Sequence, residues 1–217
     1  MKTLICVSLS LAVSALFASS SFLSAQELKP IKLPKPQTDI GKPLMQVLNA
    51  RQTAREFSEK PLPLQELSNL LWAAWGVNRP DTGKRTAPSA SNRQEMDVYA
   101  VTAEGAYLYD AKEHTLIPAV TGDIRAQTGR QPFAATAPLN LVYVADYSKM
   151  ANVPEENRVF LSAADTGFIA QNVYLYCASQ GLATVVRAMV DKPALEKAMK
   201  LRPDQKVVLA QTVGYPK

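Results

Sequence analysis

One stretch of this chain, Val159 to Gln180, limits what it can fold into more than any other. Phe160, Leu161, Phe168, Ile169, Val173, Tyr174, Leu175, Tyr176 and Cys177 follow one another there without a proline, and Gly181 comes next. The pattern predicts a long helix that stops at the glycine. Its apolar residues fall on every side, so the helix must be buried nearly all round. A chain of 217 residues makes one domain, or one domain plus extras. A domain of that size does not enclose such a helix alone, so a second copy of the chain is expected to cover it. The sequence therefore predicts a homodimer.

The remaining elements are shorter. Pro43 to Ala50 reads as a helix with Leu44, Val47 and Leu48 on one face. After Pro61 and Pro63, Leu64, Leu67, Leu70, Leu71, Ala74 and Trp75 keep helical spacing up to Gly76. Asp97 to Ala103 and Ala106 to Asp110 alternate as two strands of a hairpin across Glu104-Gly105. Leu139 to Ala145, between Pro138 and Asp146, is the clearest buried strand, and Lys206 to Val213 closes the chain as another. Helices and strands in this order predict an α+β fold, a sheet flanked by helices, and not a strictly alternating parallel sheet.

Residues 1–25 read as a secretory signal peptide. Met1-Lys2 precedes an apolar, Ser-rich run from Leu4 to Leu23, followed by Gln26-Glu27. Cleavage is expected after Ala25, with a cut near Ser20 or an uncleaved anchor as alternatives. Cleavage would leave a periplasmic or secreted protein without a stable membrane anchor. No twin-arginine pair precedes the apolar run, which favours export of an unfolded chain. Cys177 would then be the one cysteine left, so no intramolecular disulfide is expected. Residues 26–40 alternate Pro30, Pro34 and Pro36 with Lys29, Lys32 and Lys35, which predicts an extended linker or arm rather than a packed element. The domain proper spans 41–217.

The chemistry is constrained first by exclusion. The formal charge of +5 comes from 24 scattered basic residues with no run of five, so nucleic acid is not an expected partner. A modest basic excess suits anionic small ligands. The nine glycines form no G-x-G, which removes Rossmann and Walker loops. There is no C-x-x-C, and the single histidine, His114, reads as a solvated turn residue, so neither a metal site nor a Ser-His-Asp triad is expected.

Two polar runs remain. In Arg51-Gln52-Thr53-Ala54-Arg55-Glu56-Phe57, alternate residues of an extended segment point the same way, so two guanidinium groups and a hydroxyl can converge on one anion. In Arg85-Thr86-Ala87-Pro88-Ser89-Ala90-Ser91-Asn92, hydroxyls, an amide and a constrained backbone precede a strand. Read alone, the first is a surface charge cluster and the second a turn.

Taken with the Leu-rich helix ending Leu70-Leu71-Trp72-Ala73-Ala74-Trp75-Gly76, the two runs resemble the nitroreductase family of FMN-dependent oxidoreductases. Ala137-Pro138, Asp165-Thr166-Gly167, Gln171-Asn172 and Gly181-Leu182-Ala183-Thr184-Val185 agree with it, so the resemblance covers Pro43 to Lys217. The Trp72 helix and Arg85 to Ala90 look closest to the branch that includes peptide azoline dehydrogenases.

This resemblance implies a three-layer sandwich with a mainly antiparallel sheet, and a homodimer with the long helix at its interface and two FMN sites built from both chains. It assigns Arg51 and Thr53 to the FMN phosphate, and Arg55 to the ribityl chain and pyrimidine edge. Pro88, Ser89, Ala90, Ser91 and Asn92 would come from the other subunit. Val186, Arg187, Ala188 and Met189 would line one ring face, with a backbone N–H near Arg187 or Ala188 directed at flavin N5 and no catalytic side chain. Family members often place a basic pair from a C-terminal arm on the phosphate; here Lys217 would substitute. Arg187 and Met189 stand where a small or acidic residue is common. Arg125, Gln127, Arg130 and Gln131 are candidates for a pyrimidine or substrate contact, with a solvated helix face as the alternative. The implied activity is hydride transfer through flavin N5 between a donor such as NAD(P)H and a small organic acceptor. Dehydrogenation of a modified peptide or small molecule, or flavin binding without catalysis, are the other readings.

Overall fold

Side chains that alternate between two apolar layers set the architecture. The computed structural model describes residues 27–217, so the signal-peptide expectation lies outside the described residues. In chain order the elements are β1 (Ile31–Lys32), α1 (Leu44–Ala50), α2 (Leu64–Trp75), β2 (Val77–Arg79), β3 (Lys84–Arg85), β4 (Met96–Val101), β5 (Gly105–Asp110), β6 (Thr115–Thr121), α3 (Phe133–Thr136), β7 (Leu139–Asp146), α4 (Glu155–Gln180), β8 (Ala183–Arg187), α5 (Lys192–Ala198) and β9 (Gln205–Gly214). Seven strands form one antiparallel sheet in the order β1-β6-β5-β4-β7-β9-β8. On β7, Leu139, Leu141, Tyr143 and Ala145 pack toward α2 and α4, while Val142 and Val144 pack toward α5. Strand β9 changes parity at a bulge, where Tyr143 pairs with Leu209 but Val144 pairs with Val207. The result is the expected three-layer α+β sandwich. Among the described residues no helix is long and apolar enough to cross a membrane.

Helix α4 begins four residues earlier than its apolar pattern suggests, because Pro154 opens it and Glu155 and Glu156 suit its first turn. It ends at Gly181, whose left-handed φ of 72° an L side chain rarely adopts. Ser162, Asp165, Thr166, Ile169, Ala170, Val173 and Cys177 form the face buried within one chain. Val159, Phe160 and Phe168 on the same helix are exposed, as are Leu44, Met45 and Leu48 on α1.

Two sequence expectations need correction. Residues 27–38 are not a free tether but lie against the domain. Ile31 and Lys32 pair with Leu116 and Thr115, Leu33 is buried, and the Gln37 amide donates to Asn69 Oδ1 at 2.9 Å. The prolines and lysines drew attention from Leu28, Ile31 and Leu33, which supply an apolar face; prolines are tolerated on an edge strand because no further ladder needs their missing N–H. His114 likewise lies in a turn but is half-buried and hydrogen-bonded rather than freely solvated. Its Nδ1 lies 2.8 Å from the Tyr109 hydroxyl, and its Nε2 lies 2.7 Å from Ser68 Oγ and 3.1 Å from the Pro34 carbonyl.

Burial lowers the His114 pKa. A histidine that folding holds neutral contributes its full stability above the unfolded value and loses it as pH falls through the lower folded value. The Leu33 amide, which donates to the His114 carbonyl, is therefore expected to exchange faster at pH 5 than at pH 7.5 after correction for intrinsic rates. Equal protection at both pH values would show that the imidazole does not hold the arm.

Candidate functional site

The first polar run leaves α1 at Arg51, where ψ changes to 121° and the chain extends. It then runs beside β8 and the C-terminal segment. The Ala54 amide donates to the Thr184 carbonyl at 3.0 Å, the Ser58 amide to the Tyr215 carbonyl at 2.9 Å, and Phe57 bridges Pro216. Lys217, exposed, directly follows that bridge.

A residue that the sequence reading counted as core organises the run. The hydroxyl of Tyr174 on α4 lies 3.1 Å from Thr53 Oγ1 and accepts the Val186 N–H at 3.0 Å. Either hydroxyl can donate in the contact with Thr53; where Tyr174 donates, it gives one hydrogen bond and accepts one. The Thr53 hydrogen is then left for a ligand. Arg51 stacks over the same ring, 5.5 Å from its centroid. Neither Arg51 nor Arg55 forms an ion pair among the described residues, so both guanidinium groups can take an anion.

At the end of β8 the four candidates separate. Val186 is half-buried, Ala188 and Met189 are exposed, and Arg187 is only 4% exposed. The Arg187 side chain turns inward, where Nη1 donates to the Thr128 carbonyl at 2.7 Å and Nη2 to Asn140 Oδ1 at 2.8 Å. Its guanidinium also faces the Phe133 ring at 5.9 Å. Burial pulls its pKa down to about 10. Gly129 makes the approach possible, since a Cβ there would lie 1.6 Å from Nη1. Of the two large side chains flagged in this run, only that of Met189 projects outward.

The other polar candidates divide in the same way. Arg125 pairs with Asp123 at 2.7 Å and donates to the Ala137 carbonyl at 3.0 Å, which makes it a brace for α3. Gln127 and Arg130 are exposed, and the Arg130 amide donates to the Met189 carbonyl at 3.2 Å. Gln131 is half-buried, and its side-chain oxygen has no partner among the described residues.

The second run, Pro88 to Asn92, lies against the other half of α4. The Ala90 amide donates to Asp165 Oδ2 at 2.9 Å, and Ser89 Oγ accepts the Gln94 amide at 3.0 Å. Arg85 holds Gln94 Oε1 at 2.8 Å and stacks on Trp75 at 4.8 Å. Ser91, Asn92 and Gln94 all have φ between 51° and 53°. Left-handed backbone at non-glycine residues costs on the order of 1 kcal/mol each and persists only where neighbours impose it. Asp165 and Tyr174 are nine residues apart on α4, about 14 Å along its axis at 1.5 Å per residue. One chain therefore keeps the two runs at separate points of one helix. No group of three metal-ligating side chains occurs among the described residues.

The model of the nitroreductase family matches residues 48–215. A protein of Methanocaldococcus jannaschii described as a candidate nitroreductase is 32% identical over 152 residues, 65% of this chain and 76% of that protein. The crystal structure of a candidate nitroreductase from Ralstonia eutropha superposes with a TM-score of 0.83 at 45% identity, covering 87% of this chain and 90% of that one. An NADPH:FMN oxidoreductase from Vibrio harveyi, in complex with NAD+, shares the fold at 20% identity and a TM-score of 0.59, over 80% of this chain and 69% of that one.

Proposed function

This chain belongs to the nitroreductase family, and we propose that it is an exported FMN-dependent oxidoreductase that passes reducing equivalents between NAD(P)H and a small organic acceptor. The observation that carries the reading is the knot of Arg51, Thr53, Tyr174 and Val186, which presents a guanidinium and an oriented hydroxyl with no protein anion to satisfy them among the described residues. Such a donor set fits a phosphate monoester. When bound, FMN supplies reversible hydride acceptance at N5.

The chain's own residues bind and orient. Arg51 and Thr53 would hold the phosphate, and Arg55 would serve the ribityl chain and the pyrimidine edge, where a cation stabilises the negative charge of the reduced ring. The backbone near Ala188 is exposed, and its N–H would face N5 while Arg187 points away. Pro88 to Asn92 would come from a second subunit seated on the exposed apolar side chains of α1 and α4. Exposed Phe160, Phe168, Leu44 and Met45 support that homodimer, because apolar patches of this kind mark interaction surfaces. NAD(P)H is named as donor by analogy with the Vibrio harveyi enzyme. Export rests on residues 1–25.

The visible spectrum of the purified protein tests the reading. A yellow protein whose flavin band bleaches with NADH or NADPH is expected; a colourless one that takes up no FMN overturns it. Tyr174→Phe keeps the ring under Arg51 but leaves Thr53 and the Val186 amide without their shared hydroxyl. It is expected to weaken FMN binding about fivefold, the loss of roughly 1 kcal/mol for one hydrogen bond, as read by quenching of flavin fluorescence.

A further inference from the structure

Glu95 stands three residues after the second polar run and is fully buried, yet neither of its carboxyl oxygens accepts a hydrogen bond of ordinary geometry among the described residues. Buried polar groups are almost always bonded, so this one requires an account. Its side-chain neighbour is the carboxyl of Asp165 on α4, itself 3% exposed. Two carboxylates only accept and cannot bond each other. A carboxylic acid and a carboxylate can, and form one of the stronger hydrogen bonds available to a protein.

We infer that Glu95 keeps its proton and donates it to Asp165, so that Asp165 is held to accept the Ala90 N–H and Glu95 acts as a positioning residue for the loop Pro88 to Asn92. The anchor has a definite task. Ser91, Asn92 and Gln94 occupy left-handed backbone, and Ala90 just before them is tied to α4 through Asp165 Oδ2. The role of the loop in holding flavin rests on the function proposed above; the shared proton does not.

The surrounding charges favour this assignment. From α4 the facing group is Asp165, a like charge if Glu95 ionises. From the turn after β7 comes Lys149, whose charge favours the ionised form, but its ammonium is engaged by Asp97 Oδ1 of β4 at 3.0 Å and by the Gln94 carbonyl at 3.3 Å. Asp146, whose amide donates to the Glu95 carbonyl, is paired with Arg202. Burial first, and then Asp165, push the Glu95 carboxyl up to about 7 from an ordinary 4.5. An acid whose folded value is raised contributes stability that falls as pH rises between those two values. Above the upper one, two buried carboxylates would face each other, and Asp165 would no longer be held on Ala90.

The expected result is a flavin affinity that declines through neutrality. If binding requires the protonated form, the FMN dissociation constant rises about tenfold from pH 6 to pH 8. Glu95→Gln keeps a donor toward Asp165 and is expected to remove that rise. The variant also reports the contribution of the FMN phosphate, whose second ionisation lies near pH 6. The second measurement needs no variant: it is a carbon-13 NMR titration of the glutamate carboxyls in the flavin-free wild-type protein. One buried carboxyl titrating near neutrality is expected. All glutamates titrating in the ordinary range, or a Glu95→Gln variant with the wild-type pH curve, would overturn the shared proton. A protein that binds no FMN at any pH would defeat the proposed function instead, with the carboxyl titration still deciding the state of Glu95.

Discussion

Arg187→Ala is expected to lower the unfolding free energy by about 3 kcal/mol in urea denaturation. Two charge-assisted hydrogen bonds, to the Thr128 carbonyl and to Asn140, contribute on the order of 1.5–3 kcal/mol each. Their loss leaves the Thr128 carbonyl without its charged donor and opens a cavity against Phe133 and Gly129. Part of the loss is offset, because the same burial that lowers the guanidinium pKa no longer has to be overcome. Arg187→Met, which retains volume without charge, should therefore cost less than the alanine variant. A wild-type midpoint for Arg187→Ala would mean that the guanidinium lies outside, toward the ligand face.

Arg51→Ala should abolish retention of FMN through dialysis. A bidentate, charge-assisted phosphate contact contributes on the order of 2 kcal/mol, a loss of about thirtyfold in affinity, and Thr53 alone offers one neutral donor in its place. Far-ultraviolet circular dichroism should be unchanged, since Arg51 forms no ion pair among the described residues and lies at the end of a seven-residue helix. Arg51→Lys should retain part of the affinity, because it keeps the charge but not the planar fork. A variant that keeps its flavin would place the phosphate elsewhere, with Arg55 or Lys217 as the next groups to change.

The sequence made the frame readable where a local signal existed. Gly181 and Gly76 end their helices as expected, and the strand between Pro138 and Asp146 is buried along its whole length. Strand β6 escaped because Pro118 argues against a central strand. It is accommodated because β1 pairs only with Thr115 and Leu116, leaving the outer side of Pro118 unpaired among the described residues. The first turn of α4 carries no apolar residue to announce it.

The candidate site was legible as residue types and hidden as directions. Arg51 and Thr53 could be singled out because a surface offers few such clusters. Tyr174 could not, since its hydroxyl finds Thr53 at 121 positions' separation and a tyrosine in an apolar helix counts as packing. Arg187 was readable as part of a strand expected to line the ring, but the direction of its side chain depends on Asn140 and on the missing Cβ of Gly129, both remote in the chain. Glu95 gave no signal at all, because its meaning depends on a second carboxyl brought to it by α4.

The docked arm has a consequence for how this molecule meets its own copies. Open sheet margins invite strand-by-strand polymerisation, and here both margins are occupied. On one side β1 is two residues long, flanked by Pro30 and Pro34, which have no N–H to offer, and by Lys29 and Lys35, which repel an incoming twin. On the other, the first polar run lies along β8 through the Ala54 amide. Strand-by-strand growth is thereby disfavoured, and the homodimer proposed above, seated on the helical face, would close after two copies instead of growing into a fibre.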